Sequence, residues 1–313
     1  MNKVFFIDLK PLTCGDLFLS VRLPSMLVKI NLLLTILVQI VIIYAAKTMR
    51  AISLQSGSNG NCIYVESNDI RLLFDAGISG IQAERRLAQH DIDIRDVNAL
   101  IISHDHSDHV RCAGIYQRKY GLPIYTTEQT IETACGCHDL GTIHELHYFQ
   151  PGDTLRFGSV SIETIPTPHD ATEGSAFVVV SDNKRLGILT DLGHVFDGLH
   201  GIIASLDAVF IESNYDPDML EYGPYPAFLK RRIKGPEGHI SNMDCAELLC
   251  SANAKHMQWA CLSHLSENNN SPDIALETHK EIVHSLFPIF TASRYAVSGV
   301  LAIGSNNPQL ALL

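Results

Sequence analysis

The sequence predicts an α/β fold, an αββα sandwich in which two mixed β-sheets pack face to face with helices outside. Three observations lead there. From Ala51 onward, short β-branched-rich apolar runs alternate with turn signals. These runs fall into two groups, each followed by stretches of helical period. A chain of 313 residues, 46% hydrophobic and 18% charged, supplies a sizeable core, with no tandem repeat, low-complexity stretch or long linker.

The first segment stands apart. Residues 30–46, INLLLTILVQIVIIYAA, carry no charge and lie between Lys29 and Lys47/Arg50, near the lower length limit for a membrane-spanning helix. A cleaved signal fits poorly, because a cut after Ala46 would put Tyr44 where a small residue is needed. An anchor would leave almost no linker before the strand pattern at Ala51. The favoured expectation is a mis-assigned start, with residues 1–48 an extension and 49–313 a single domain that begins in nature at Met49. Lys47 and Arg50 would also leave an anchored domain in the cytoplasm. We therefore expect a cytoplasmic protein with no membrane partner unless residues 30–46 are a genuine anchor.

Next come AISLQS, CIYVES and IRLLFDAG, read as adjacent antiparallel strands, then IQAERRLAQHDI, whose Ile81, Leu87 and Ala88 are expected to share a helical face. The strand NALIIS leads into DHVRCAGIYQRKYG, helical in period and ended by Gly121. The second half repeats the pattern with strands SVSIETIP, SAFVVVSD, RLGILTD, LDAVFIES, WACLSH and YAVSG. Helices are expected near 224–233, 242–252 and 271–285.

A net charge of −11 argues against broad attraction to polyanions, although bound dications would invert the field at a site. Eight scattered cysteines without CxxC spacing read as reduced thiols. Cys135, Cys137 and His138 are too close along the chain to surround one ion easily, so this run is expected to be a loop.

The chemistry gathers at strand ends. His104 and His106 follow the NALIIS strand and point to one side, because side chains alternate along extended backbone. Asp108 and His109 lie on the turn beyond, able to face a second ion. A lone histidine is usually solvated; four potential ligands in this compact order are not. His169, Asp191 and His264 also each follow an apolar strand. Imidazoles and carboxylates suit zinc, manganese or iron, so two divalent metal ions are expected.

These residues, His104-x-His106-x-Asp108-His109 with His169, Asp191 and His264, resemble the metallo-β-lactamase superfamily. FDAG with Asp75 looks like its first motif. More narrowly, SGSNGNC (56–62), GHISN (238–242) and HLSENNN (264–270) resemble the YycJ/WalJ group of small nucleases. The resemblance covers Met49 to the C-terminus and makes that stretch a hydrolase domain. It implies that His104, His106 and His169 hold one metal and that Asp108, His109 and His264 hold the other. Asp191 would bridge them and Asp75 would orient a ligand histidine. The short interval between Asp191 and His264 has no room for the extra domain of larger RNA-processing relatives.

A two-metal site with a bridging hydroxide suits phosphodiester hydrolysis, with Asp108, Asp191 and His239 as catalytic residues. Asp191 at the bridging position argues against antibiotic hydrolysis. Lys230, Arg231, Arg232 and Lys234 form a local basic group that would meet DNA phosphates, unless it is a solvated helix face. His239 would contact a phosphate and protonate the leaving oxygen. Ser241 would bind phosphate or cap the next helix. Ser266, Asn268 and Asn269 would donate near the second metal or form a turn before Pro272. The leading reading is a DNA exonuclease, 5′-to-3′ by resemblance. A small thioester or cyclic phosphodiester hydrolase is the alternative, and a non-catalytic metal-binding regulator the third.

Overall fold

The computed structural model describes Thr35, residues 48–304 other than 253, 255 and 285, and Gln309–Leu310. The proposed extension, residues 1–48, lies outside the described residues apart from Thr35 and Thr48. Among the described residues no helix is long and apolar enough to cross a membrane.

Strands β1 (Met49–Gln55), β2 (Cys62–Ser67), β3 (Ile70–Phe74), β4 (Ala99–Ile101), β5 (Ile124–Thr126) and β6 (Leu146–Tyr148) belong to one sheet. Strands β7 (Thr154–Phe157), β8 (Val160–Pro166), β9 (Ser175–Ser181), β10 (Lys184–Leu189), β11 (Ala208–Glu212), β12 (Trp259–Ser263) and β13 (Ile289–Thr291) form the other. The chain then returns to the first sheet through β14 (Val300–Ile303) and β15 (Gln309–Leu310), in the order β15-β14-β1-β2-β3-β4-β5-β6. The second sheet runs β13-β12-β11-β10-β9-β8-β7, and both sheets mix parallel and antiparallel pairs.

Side-chain alternation builds the layers. Ala51, Ile63, Leu72, Phe74 and Ile101 face inward onto Phe177, Val179, Ile188, Phe210 and Trp259 of the other sheet. Their neighbours Ile52, Tyr64, Leu73 and Leu100 face outward, under helices α1 (Gly80–Ala88), α2 (Ser107–Val110) and α3 (Ala113–Tyr120). Helix α4 (Glu128–Cys137) adds Ile131 and Ala134 to this layer. Val178, Leu189, Val209 and Leu262 face outward from the second sheet under α5 (Leu199–Ala204) and, past α6 (Pro217–Tyr222) and α7 (Ala227–Lys234), under α8 (Asn242–Ser251) and α9 (Pro272–Val283). Phe74 and Phe177 meet at 5.2 Å across the central layer. Truncating Phe177 to Ala would cost ~3–5 kcal/mol in lost transfer energy and cavity formation.

The expected sandwich is observed, with local corrections. The α1 face is turned relative to the expectation: Gly80, Ala83 and Leu87 are buried, whereas Ile81 and Ala88 are exposed. The helix expected over 108–121 is two, because the Cys112 N–H bonds to the Ala76 carbonyl and breaks the run between α2 and α3. YAVSG is not a strand; pairing begins at Val300. Cys135 and Cys137 are exposed on α4 instead of in a loop.

Candidate metal centre

Strand direction brings the donors together. Strands β3 and β4 run parallel, as do β10, β11 and β12. Strand β8 points the same way as β10, since each pairs antiparallel with β9. Asp75, His104, His169, Asp191 and His264 therefore all follow the C-terminal ends of strands, at one rim of the sandwich. Asp75, Asp191 and His264 take positive φ of 66°, 56° and 55°, a backbone region costly for residues other than glycine and found where function demands it. Gly77 makes room here, because a Cβ would lie 1.6 Å from the Asp108 carbonyl oxygen.

His104, His106 and His169 bring one ring nitrogen each within 4.8 Å of one another, and so do the ligand atoms of Asp108, His109 and His264. Partners on the far side of each ring settle which nitrogen faces inward. His106 Nε2 donates to the Asp170 carbonyl (3.1 Å) and His169 Nδ1 to the Gly238 carbonyl (2.8 Å). Their remaining nitrogens, His106 Nδ1 and His169 Nε2, then oppose lone pairs at 3.3 Å. His104 Nδ1 lies 2.8 Å from Ser103 Oγ, while its Nε2 is buried without a hydrogen-bond partner among the described residues.

In the other triad His109 Nδ1 donates to Asp75 Oδ2 at 2.7 Å, leaving Nε2 3.3 Å from Asp191 Oδ2 and 3.5 Å from Asp108 Oδ2. Asp75 Oδ1 accepts from the Ser103 N–H (2.8 Å), so one buried carboxylate ties β4's end to the ligand turn. His264 Nε2 lies 3.3 Å from Asp108 Oδ2. Asp191 stands between the triads, with Oδ1 3.7 Å from His169 Nε2 and 3.4 Å from His264 Nδ1. Its Oδ2 is buried without a hydrogen bond among the described residues. Opposed lone pairs, an orphaned imidazole nitrogen and an orphaned carboxylate oxygen are costly unless cations fill the space. The donor set fits divalent metal.

Electrostatics agree. Burial alone would lower the pKa of His109, but Asp191, Asp75 and Asp108 outweigh it and raise the group to about 9. His264 is likewise driven well above its ordinary value: burial opposes, and Asp191 with Asp108 prevails. His104, buried among other imidazoles, is pushed well below. Asp108 and Asp191 are held low by the surrounding histidines, against the cost of burial.

Glu212 was not among the residues singled out from the sequence. Fully buried at the end of β11, it accepts from His239 Nδ1 at 2.6 Å and from the Leu192 and Ile240 N–H groups. Its carboxyl is held far below the usual range despite burial, through His239 and His264. The signal was present in LDAVFIES, an acid closing an apolar strand as Asp191 follows one.

A cavity of about 300 Å³ opens over the donors, lined also by His239, Arg232 and Ser266. Other expected contacts lie elsewhere. Ser241 is spent on the capping box of α8: its hydroxyl donates to Asp244 Oδ2 and accepts from the Asp244 N–H. Asn269 is fully buried and donates to Ser266 Oγ, while exposed Asn268 donates to Tyr225 Oη. Of the basic group only Arg232 reaches the cavity, its Nε held by Asp170. Lys230 and Lys234 bond to Glu221, and Arg231 is exposed. A larger groove of about 850 Å³ borders residues 166–174, but it is walled by Glu128, Asp153 and Glu173 and holds none of the donors.

A family model described as the β-lactamase superfamily domain matches residues 70–264, the span that carries every donor. The chain belongs to the β-lactamase superfamily. It is a metal-dependent hydrolase of that superfamily. The chain is 37% identical over 224 residues to the exodeoxyribonuclease YycJ of Bacillus anthracis, covering 71% of this chain and 84% of that protein. It is 36% identical over 235 residues to the exodeoxyribonuclease WalJ of Streptococcus pneumoniae serotype 2, covering 74% and 86%. Among solved structures, the metallo-β-lactamase fold protein YhfI of Bacillus subtilis superposes with a TM-score of 0.62 at 17% identity, covering 80% of this chain and 99% of that one. At that identity the likeness shows the superfamily fold alone.

Proposed function

We propose that this chain is a two-metal phosphodiesterase that degrades DNA from its ends, in the 5′-to-3′ direction. The observation that carries the reading is the pair of triads flanking Asp191 in a cavity that also presents His239 and Arg232. Relatives at 36–37% identity named exodeoxyribonucleases support DNA as the substrate, and the resemblance to that group supports the direction.

His104, His106 and His169 would hold one ion, Asp108, His109 and His264 the other, with Asp191 between them. When bound, two divalent cations, of zinc, manganese or iron, would lower the pKa of water and neutralise charge on a phosphodiester. The protein's own groups do the rest. Asp75 fixes His109 with its Nε2 toward the centre. Glu212 fixes His239 through Nδ1, which leaves Nε2 to hold the proton that the departing oxygen needs. Arg232, with Nε occupied by Asp170, keeps its terminal nitrogens for a phosphate oxygen.

One observation favours a second reading. Lys230, Arg231 and Lys234 do not line the cavity, which suits a small cyclic phosphodiester or thioester better than a long strand. Incubating the metal-loaded protein with end-labelled duplex and single-stranded DNA and RNA separates the two. Progressive release of nucleotides from the 5′ end supports the exonuclease. Intact DNA together with hydrolysis of a small ester overturns it.

A further inference from the structure

A second cavity, about 230 Å³, adjoins the first through Ser266, which lines both. Its walls come from two of the three segments whose sequence suggested subgroup membership, Ser56 of SGSNGNC and residues 265–267 and 270 of HLSENNN, with Ser271 and Pro272, and from residues 291–295. We propose that this cavity is a subsite for a phosphate of the nucleic-acid strand, with Arg294 as the anion-binding group. The inference rests on the nuclease reading above.

Arg294 is partly buried, with 11% of its side chain exposed. Its Nε and Nη1 are buried without a hydrogen-bond partner among the described residues. The carboxylate facing it belongs to Glu267, 57% exposed, whose Oε2 lies 3.0 Å from Nη1 but out of line for a hydrogen bond. A guanidinium stored with unfilled donors is costly. An oxyanion that displaced the Glu267 carboxylate would fill them; that carboxylate is mostly exposed, its other oxygen accepting from Tyr295 Oη. Gly57 keeps the space: at φ 145°, a Cβ there would stand 2.9 Å from Arg294 Nη2.

Two hydroxyls complete the donor set. Ser266 Oγ accepts from the backbone and side-chain N–H groups of Asn269, which leaves its own proton to donate. Ser293 Oγ accepts from the Tyr295 and Ala296 N–H groups and is free in the same way. A planar cation flanked by hydroxyl donors is the chemistry that recognises phosphate. The shared wall at Ser266 places this subsite where a strand lying in the reaction cavity would continue.

The test is steady-state DNA hydrolysis by the metal-loaded full chain. Arg294→Gln should raise KM for DNA about tenfold, whereas Glu267→Gln, which removes the competing carboxylate, should lower it. Comparing 5′-phosphorylated with 5′-hydroxyl ends identifies the source. A terminal phosphate confines the Arg294→Gln effect to phosphorylated ends, and an internal one gives it on both. Unmoved KM values, or a rise in both variants as a merely structural role would produce, overturn the subsite. Should Arg294→Gln fail to fold, exposed Glu267→Gln decides alone: a lower KM supports the proposal and an equal or higher one overturns it. If the wild type cleaves no nucleic acid, the nuclease reading fails separately. Calorimetric titration with inorganic phosphate then tests the subsite, with tighter binding by Glu267→Gln in support and equal binding against.

Discussion

Glu212 Oε1 lies 2.6 Å from His239 Nδ1, and the same oxygen lies 3.5 Å from His264 Nδ1. One buried carboxylate thus holds the cavity's His239 by a hydrogen bond and faces His264, a member of the second donor triad. Glu212→Gln keeps the volume but loses the charge that fixes the His239 ring. Its kcat for DNA should fall about 100-fold, within the range that proton transfer supplies. Metal analysis of the same sample checks the cause, since full activity at normal metal content would remove Glu212 from the account.

Asp75 acts through His109 and the Ser103 N–H. Asp75→Asn should therefore weaken metal affinity by about 10–100-fold, the usual effect of losing a partner behind a ligand. Competition with a chromophoric chelator reads this directly, and an unchanged affinity would count against the assignment.

Arg232 and Arg231 are sequence neighbours with different surroundings. Both are exposed, but Arg232 lines the cavity and is held by Asp170, whereas Arg231 does not line it. Charge reversal Arg232→Glu should lower kcat/KM for DNA by about tenfold and flatten its dependence on salt. Arg231→Glu should do much less; equal losses would mean that the strand follows the outer face of α7.

His279 provides a pH test away from the metals. Burial lowers its pKa to about 4, and Nε2 has no hydrogen-bond partner among the described residues while Nδ1 donates to the Ala275 carbonyl. The unfolded chain, titrating near 6.5, binds the proton more readily than the folded one. The stability this neutral group contributes is complete above pH ~6.5 and is lost as pH falls toward 4, by up to about 3 kcal/mol. Urea titrations in chelator should show a slope across that window that His279→Leu reduces; identical slopes would contradict the assignment.

The sandwich and the gathering of the seven candidate ligands were legible because apolar strands mark their own ends, and a polar residue of this kind just past such an end is conspicuous. Glu212 was not, since an acid closing a strand looks the same whether it caps backbone or orients a histidine. Ser241 and Asn269 misled for the converse reason. Nearness in sequence to His239 and His264 does not say which way a side chain turns, and helix capping and loop packing claimed both. The three-residue strands β5 and β6 are too short to show a period. The face of α1 slipped because Ile81 is apolar yet exposed, while Gly80 and Ala83 do the packing.

The central claim is a hydrolytic centre built for two ions around Asp191. Its most direct test strips the protein with chelator and restores manganese or zinc stepwise, counting bound metal while following cleavage of end-labelled DNA. The account predicts two equivalents per chain, with cleavage regained as the second binds and lost in Asp191→Ala. Cleavage by the metal-free protein, or saturation of binding and activity at one equivalent, would contradict it.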